Sequence, residues 1–268
     1  MTTLGPEPQL SFDRNGELPY LVEYWYLRSQ ATRHMVVRRF REVLTHANLK
    51  AGQRVLDLGC GWAYGTNWAR SLGCRVSGID LGHDQLSWAR RAMPNAIDLG
   101  LVRTNAREMP YADATFDRAF SVEMMEHVFR PDRSRVLGEI ARVLKPGGRV
   151  AISTPNSASP VEVAKQLVMR WPALRRRLPS ACFPEATDDP GTYHPYRYHH
   201  PLTLGELRGG LETAGFRVLG VKHFLWIFKT LPDAVLAPSA GLEWLAEHLP
   251  LASRLGATML VWAERRAS

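Results

Sequence analysis

Cysteine is scarce in this sequence, which contains only three, Cys60, Cys74 and Cys182. Their number is odd and no pair has C-x-x-C spacing, so the sequence predicts neither a disulfide framework nor a zinc site. An apolar run of about 18 residues is also absent, as is a secretion signal after Met1. We therefore expect a cytoplasmic protein without a membrane-spanning helix.

The 268 residues, 45% of them hydrophobic, are enough to build one large α/β domain with appendages or two small domains. The 34 lysines and arginines outnumber the 26 acidic residues, which gives a formal net charge of +8. Such an excess favours an anionic substrate, a nucleic acid or an acidic membrane surface. Charge alone does not choose among these partners.

From residue 53, short apolar runs alternate with helical patterns, which predicts βαβ units and a parallel sheet. We expect an N-terminal arm and cap helix in residues 1–50 and the main domain in residues 51–268, with residues 157–200 as an insertion on the substrate side. Asp132 is predicted to cap a helix that ends at Lys145-Pro146-Gly147-Gly148, and Thr203 with Glu206 forms a capping box. The predicted strands are Arg54–Leu58, Arg75–Ile79, Leu99–Val102, Phe116–Val122, Arg149–Ser153, Phe216–Val221 and Thr258–Ala263.

An acidic, glycine-rich turn follows the first predicted strand. Gly59 and Gly61 let a ligand approach the backbone, and Asp80, after the second strand, can accept both ribose hydroxyls. A dinucleotide-binding enzyme requires G-x-G-x-x-G, but Tyr64 fills the last position and Asp57 would repel a pyrophosphate. The turn therefore favours S-adenosylmethionine, which carries an ammonium and a sulfonium group.

Four segments, within residues 50–222, follow one another as in the class I S-adenosylmethionine-dependent methyltransferases, which the chain resembles. The resemblance implies a Rossmann-like, doubly wound α/β fold with a mostly parallel seven-stranded sheet. Ala63 departs from the pattern, because the family often has a third glycine there. The segments are Val55-Leu56-Asp57-Leu58-Gly59-Cys60-Gly61, Gly78-Ile79-Asp80, Met109-Pro110-Tyr111 through Phe116-Asp117, and Leu144-Lys145-Pro146-Gly147-Gly148.

The same resemblance implies a set of cofactor-binding residues. The Gly59 to Gly61 backbone would contact the methionine part, and Asp80 would hold the ribose. Asn105, where an Asp is common, would accept a hydrogen bond from the adenine amino group through its carbonyl; a simple turn residue is the alternative. Arg28 resembles the arginine that meets the methionine carboxylate in relatives, with an ordinary surface arginine as the alternative. The full predicted set is Arg28, Asp57, Gly59, Cys60, Gly61, Asp80, Leu81, Asn105, Ala106 and Val122.

The segment after the fourth strand, Ser121 to Val128, resembles the E-x-x-E-H-V segment of small-molecule methyltransferases, particularly the quinone O-methyltransferases of the ubiquinone pathway. Methyl transfer to a hydroxyl needs an aligned nucleophile that loses its proton. We predict His127 as the general base and Glu126 as the group that orients it. The competing interpretation is a histidine that only packs at a helix end.

Aromatic and histidine side chains are expected on the substrate side. One cluster lies in the insertion and can act as a lid, with a solvated loop as the alternative. A metal site is not predicted, because no carboxylate pattern accompanies these histidines. The predicted substrate-side residues are Tyr24, Tyr193, His194, His199 and His200.

Residues 161–178 form a basic, amphipathic stretch with a net charge of +4 from Lys165, Arg170, Arg175, Arg176 and Arg177 against Glu162. Such a stretch is typical of a helix that lies on an acidic membrane; a lid with a solvated arginine face is the alternative. The sequence argues against nucleic acid as a partner, because Ser121-Val122-Glu123-Met124 stands where base-methylating enzymes carry an Asn-Pro-Pro-Tyr-like segment.

The sequence thus predicts O-methylation of a small-molecule hydroxyl, on a quinol, phenol, sugar or natural product, with S-adenosylmethionine as cofactor. N- or C-methylation of a small molecule is the nearest alternative. An NAD-dependent oxidoreductase and an RNA methyltransferase are the more distant ones. The sequence does not indicate an oligomeric state.

Overall fold

The computed structural model describes residues 4, 5, 7, 22–92, 100–169, 171, 198–227 and 232–267. Its strands are β1 (Arg54–Leu58), β2 (Arg75–Asp80), β3 (Leu101–Arg103), β4 (Phe116–Val122), β5 (Leu144–Pro155), β6 (Phe216–Phe224) and β7 (Thr258–Arg265). They form one sheet in the order β3-β2-β1-β4-β5-β7-β6. Only the pairings of β7, with β5 and β6, are antiparallel. The predicted mostly parallel seven-stranded sheet is confirmed.

Helices cover both faces of this sheet. Serine and threonine caps begin two of them: the Ser29 hydroxyl accepts from the Thr32 N–H at 3.1 Å, and the Thr203 hydroxyl accepts from the Glu206 N–H at 3.1 Å. The predicted capping box of Thr203 and Glu206 is therefore confirmed. The described α-helices are α1 (Gln30–Ala47), α2 (Tyr64–Ser71), α3 (His83–Ala92), α4 (Arg133–Val143), α5 (Pro160–Met169), α6 (Leu204–Thr213) and α7 (Leu236–His248).

Buried apolar side chains form two clusters, as a doubly wound sheet requires. The first lies under α1, α2 and α3 and includes Leu44, Trp68 and Leu86. The second lies under α4 and α6 and includes Leu137 and Leu207. No helix within the described residues is long and apolar enough to cross a bilayer.

Two details of α4 differ from the prediction. Asp132 precedes the helix but makes no side-chain cap, because its carboxylate accepts from Arg107 at 2.8 Å in a stronger, charge-assisted bond. The Lys145-Pro146-Gly147-Gly148 segment does not end the helix either, since α4 ends at Val143 and β5 begins at Leu144. Leu144 pairs with Phe116 of β4, which draws this segment into the sheet.

The order of the strands places the ligand crevice. Strands β1 to β3 are added towards one edge of the sheet and β4 and β5 towards the other, so the strand order reverses between β1 and β4. These two strands are parallel neighbours, with Leu58 opposite Ser121. In open α/β sheets, ligands bind at the carboxyl ends of the strands beside such a reversal. The loops after β1, β2, β3, β4 and β5 therefore build the candidate site.

Candidate active site

The turn after β1 depends on left-handed backbone at Gly59, Gly61 and Ala63, whose φ angles are 71°, 50° and 63°. A Cβ on Gly59 would lie 2.4 Å from Cγ of Met124, which covers the turn. Gly59 is thus required both by its conformation and by the close approach of Met124. Ala63, the departure from the family pattern, keeps the left-handed geometry at a cost of about 1–2 kcal/mol.

The N–H groups of this turn are already engaged within the protein. Those of Gly59 and Cys60 both donate to the Ile79 carbonyl at 2.9 Å. That of Gly61 donates to Oδ2 of Asp80 at 2.8 Å. A pyrophosphate needs such N–H groups, so the geometry disfavours a dinucleotide and leaves the turn to a ligand that does not require them.

Asp57 lies beneath the turn rather than at its surface, with 2% of its area exposed. Its carboxylate accepts a hydrogen bond from the Thr66 hydroxyl at 2.7 Å. Burial raises its pKa to about 7, so near neutral pH the group is only partly ionised. Repulsion of a pyrophosphate by Asp57 is therefore weaker than the sequence suggested. The engaged N–H groups are the stronger argument for S-adenosylmethionine over a dinucleotide.

The ends of β2 and β3 carry the predicted ribose and adenine residues. Asp80 also accepts from the Gly82 N–H at 2.7 Å, which fixes its carboxylate at the edge of the crevice. Leu81, next to it, is 40% exposed and offers an apolar surface to a ring. Asn105 accepts from the Arg107 N–H at 3.0 Å through Oδ1, as expected of the alternative, a turn residue. Its carbonyl keeps a second lone pair, which can still accept the predicted hydrogen bond from adenine.

The remaining predicted cofactor residues occupy different places. Ala106 and Val122 are partly buried, at the turn after β3 and at the end of β4. Cys60 is buried, and burial raises the pKa of its thiol well above its ordinary value. Arg28 is exposed, just beyond a π-helical turn, Val22–Leu27.

An N-terminal tyrosine that the sequence analysis did not single out covers the cofactor turn. The Tyr26 ring lies 5.4 Å from that of Trp62 and 5.6 Å from that of Tyr64. Its hydroxyl donates to Glu7 at 2.6 Å. The aromatic stretch of this segment was visible in the sequence, but not which ring faces the turn. The predicted Tyr24 has a side chain outside the described part of the structure.

His127 ends a 3-10 turn, Met125–His127, after β4. Its Nδ1 lies 2.7 Å from the carbonyl oxygen of Tyr198. A carbonyl can only accept, so in the neutral ring Nδ1 carries the proton and Nε2 is the unprotonated nitrogen. Burial lowers the pKa of His127, while 37% of its side chain remains exposed. The ring is therefore an accessible, unprotonated base at neutral pH.

Glu126, the predicted orienting residue, does not contact Nδ1. Its Oε1 lies 3.9 Å from Nε2 of His127, on the opposite side of the ring, and its Oε2 accepts from the Thr154 hydroxyl at 3.1 Å. Burial, and then the nearby Glu123 carboxylate, raise its pKa well above the ordinary value. A carboxyl with a raised pKa is a weaker partner for imidazolium, so the Tyr198 carbonyl takes the orienting position.

Glu123 and Arg39 were missed as site residues. Glu123 has a φ of 52°, a strained conformation that often marks functional sites. Its carboxylate accepts from the Ser153 hydroxyl at 3.1 Å and pairs with Arg39 of α1 at 3.3 Å. Burial raises the pKa of Glu123. The sequence could have indicated Glu123, because it is the first glutamate of the E-x-x-E-H segment. No sequence pattern links Arg39 to the site, because it lies far away in the chain.

The insertion meets this cluster at its C-terminal end. The ring centroid of His199 lies 5.4 Å from that of His127, and burial lowers the pKa of His199 to about 3. The N–H of His200 donates to the Glu126 carbonyl at 2.9 Å. Tyr193 and His194 lie outside the described residues. His199 therefore lies beside His127, and His200 is held next to it through the backbone of Glu126.

One group among the described residues can hold a metal ion, although none was predicted. Single ligand atoms of Glu126, His127 and His199 all lie within 4.8 Å of one another. Imidazole nitrogens and a carboxylate oxygen are donors that zinc and similar cations accept. Metal binding would require Glu126 in its ionised form, against which its raised pKa acts.

Comparison with known proteins gives the family. The family described as "methyltransferase domain" matches residues 56–152. The ubiquinone biosynthesis O-methyltransferase of Nitrosococcus oceani is 38% identical over 176 residues, which cover 65% of this chain and 69% of that protein. The chain belongs to the class I S-adenosylmethionine-dependent methyltransferases. Methyltransferase GfsG of Streptomyces halstedii is 38% identical over 43% of this chain and 42% of its own length.

The fold of this family member is shared by solved structures of low sequence identity. A methyltransferase structure from Archaeoglobus fulgidus superposes with a TM-score of 0.59 at 16% identity, covering 92% of this chain and all of that one. The alignments span about half the length of the first curated relatives, 42% and 52%. The family's cofactor is S-adenosylmethionine, and the turn fits it, because no N–H donor of Gly59, Cys60 or Gly61 is left for a phosphate.

Proposed function

We propose that this methyltransferase methylates a hydroxyl oxygen of a small molecule and that His127 is the general base. The observation that carries the proposal is the bond between Nδ1 of His127 and the Tyr198 carbonyl, which leaves Nε2 unprotonated. A hydroxyl must lose its proton during methyl transfer and so requires a base, whereas the need for a base differs for an amine or carbon acceptor. Relatives named O-methyltransferases, 36 to 38% identical over their matched segments, support an oxygen acceptor.

The chain's residues would divide the work between cofactor and acceptor. The bound cofactor supplies an electrophilic methyl group on its sulfonium. Asp80 would hold the ribose, and the turn from Gly59 to Gly61 would lie along the methionine part. Nε2 of His127 would accept the hydroxyl proton as the new O–CH3 bond forms and S-adenosylhomocysteine leaves. His199 and His200 would form one wall of the acceptor pocket, with the rest of residues 157–200 and the N-terminal segment covering it.

Substitution of His127 tests the base. His127→Ala is expected to lower turnover by about 100- to 10,000-fold while calorimetric binding of S-adenosylhomocysteine stays normal. His223→Ala, a half-buried histidine of β6, is the matched control. Turnover of the unchanged enzyme should fall at low pH with a midpoint below the ordinary histidine pKa, because burial lowers that of His127. Near-normal turnover by His127→Ala would remove the assignment.

The acceptor itself is to be found by screening. Phenols, sugars and polyprenyl quinols are the panel, with release of S-adenosylhomocysteine as the signal. The alternative activity, hydride transfer with NAD, predicts tight NAD binding and no binding of S-adenosylhomocysteine in calorimetry. The engaged N–H groups of Gly59, Cys60 and Gly61 favour the opposite result.

We propose further that residues 161–178 touch an acidic membrane, which would give access to lipid-dissolved acceptors. The described part, α5 and residue 171, supports this with the exposed side chains of Val163, Leu167 and Trp171. Lys165 pairs with Glu162 at 2.5 Å, so these two charges offset each other. The net positive charge of residues 161–178 therefore comes from Arg170, Arg175, Arg176 and Arg177, which lie outside the described residues. Flotation with acidic liposomes at low salt tests the contact, and absence of binding by the intact protein would rule it out.

A further inference from the structure

The connection between β6 and β7 is far longer than the sheet needs. These strands are antiparallel neighbours with Phe224 opposite Thr258, and such a pair can be joined by two residues. Here the connection runs from residue 225 to residue 257 and contains α7 and a 3-10 turn, Ala252–Arg254. The pairing of the two strands therefore does not account for this segment.

The acidic side chains of α7 point inward and are neutralised there. Oε2 of Glu243 lies 3.0 Å from His34, and Oε2 of Glu247 accepts from Arg38 at 2.7 Å. His34 and Arg38 both belong to α1. These pairs hold α7 against the domain and remove its negative charges from the surface.

The outer face of residues 241–255, all of them described, is apolar and cationic. Its exposed positions include no acidic residue, and the ionisable ones are His248 and Arg254. Exposed apolar side chains rarely gather in this way on a monomeric protein. They are Leu242 (68% exposed), Trp244 (62%), Leu245 (47%), Leu249 (47%), Leu251 (81%) and Leu255 (39%).

This face stands at the same edge of the sheet as the active site. β5 ends at Pro155, opposite the first residue of β7, Thr258. The amide of Asn156, the next residue, donates to the carbonyls of Arg254 and Gly256 at 3.0 and 2.9 Å. Thr154, on the other side of Pro155, is the residue that binds Glu126.

We propose that the outer face of residues 241–255 docks on a lipid bilayer that carries anionic headgroups. Leucine and tryptophan side chains would enter the headgroup and acyl boundary, and Arg254 would meet the lipid phosphates. A second copy of the chain is a poorer occupant, because it would bring like-charged faces of a protein of net charge +8 together. The docking does not depend on the identity of the methyl acceptor.

Flotation with phosphatidylcholine vesicles, with and without phosphatidylglycerol, tests this surface. The unchanged protein should float with the acidic vesicles and more weakly with the neutral ones. Leu242→Ser/Trp244→Ser/Leu251→Ser should lower the partition coefficient about a hundredfold. Arg254→Ser should lower it about fivefold, whereas Arg208→Ser, an exposed arginine of α6, should not change it. Thermal melting and S-adenosylhomocysteine binding show that each variant is folded.

A second variant separates this surface from α5. Leu167→Ser/Trp171→Ser removes the apolar side chains of the other proposed contact and should leave part of the binding intact. Equal flotation of the triple variant and the unchanged protein would overturn the proposal. So would a dimer in light scattering that the triple variant converts to a monomer without change in flotation, because the face would then bind a second copy.

Discussion

The cofactor turn makes a quantitative prediction through Gly59. Gly59→Ala puts a methyl group in a left-handed conformation, which costs about 1–2 kcal/mol and is partly offset by about 0.4–1 kcal/mol of lost freedom in the unfolded chain. The new Cβ also meets Cγ and Cβ of Met124, at 2.4 and 2.7 Å. Those atoms are close to the backbone and cannot swing aside, so the clash adds about 1–3 kcal/mol. The total is about 2–4 kcal/mol.

Gly147 provides a matched control for the backbone part of this cost. Its φ of 73° is nearly that of Gly59, 71°, but a Cβ there would meet nothing within 4 Å. Gly147→Ala should therefore cost only about 1 kcal/mol. Urea denaturation of both variants gives the difference, which measures the contact with Met124.

A double-mutant cycle identifies the clashing partner. Met124→Gly removes both clashing atoms, so the Gly59→Ala cost in that background should fall by about 1–3 kcal/mol. Weaker S-adenosylhomocysteine binding by Gly59→Ala should accompany its loss of stability, because the turn must shift to admit the methyl group. Equal costs for Gly59→Ala and Gly147→Ala would refute the close approach of Met124.

Three further predictions concern the ribose edge and the histidine cluster. Asp80→Ala should weaken S-adenosylhomocysteine binding about 10- to 100-fold in calorimetry, while Asp84→Ala, on the exposed start of α3, leaves it unchanged; equal affinities would remove Asp80 from the cofactor site. Burial lowers the pKa of His199 in the folded protein to about 3, whereas in the unfolded chain the pKa is near its ordinary value of about 6.5. Protonation of the unfolded chain should therefore lower the free energy of unfolding as the pH drops from about 6.5 towards 3. His199→Gln should reduce this dependence in urea titrations, and an unchanged slope would contradict the burial of His199. Dialysis against EDTA should leave turnover intact if Nε2 of His127 acts alone as base; loss of turnover that a divalent cation restores would assign Glu126, His127 and His199 to a metal.

Local signals predicted most of the sheet and the cofactor turn. The alternation of apolar runs and helical patterns located β1 and β4 with their observed bounds, because the central strands of a covered sheet are rich in buried apolar residues. The turn at Gly59 and Gly61 needs φ values that favour glycine, so sequence alone revealed it. The cap expected at Asp132 was wrong, since its partner Arg107 lies 25 residues away and only folding brings the two together.

The sequence by itself determined the family, the order of the elements and the identity of His127 as a candidate. Tertiary structure decided what surrounds that histidine. The Tyr198 carbonyl, 71 residues away, sets its tautomer; Arg39 of α1 reaches Glu123 of the next layer; and α7 turns its two glutamates inward to leave an apolar, cationic face. Each of these depends on contacts between distant segments, and periodicity and propensity describe only neighbours along the chain.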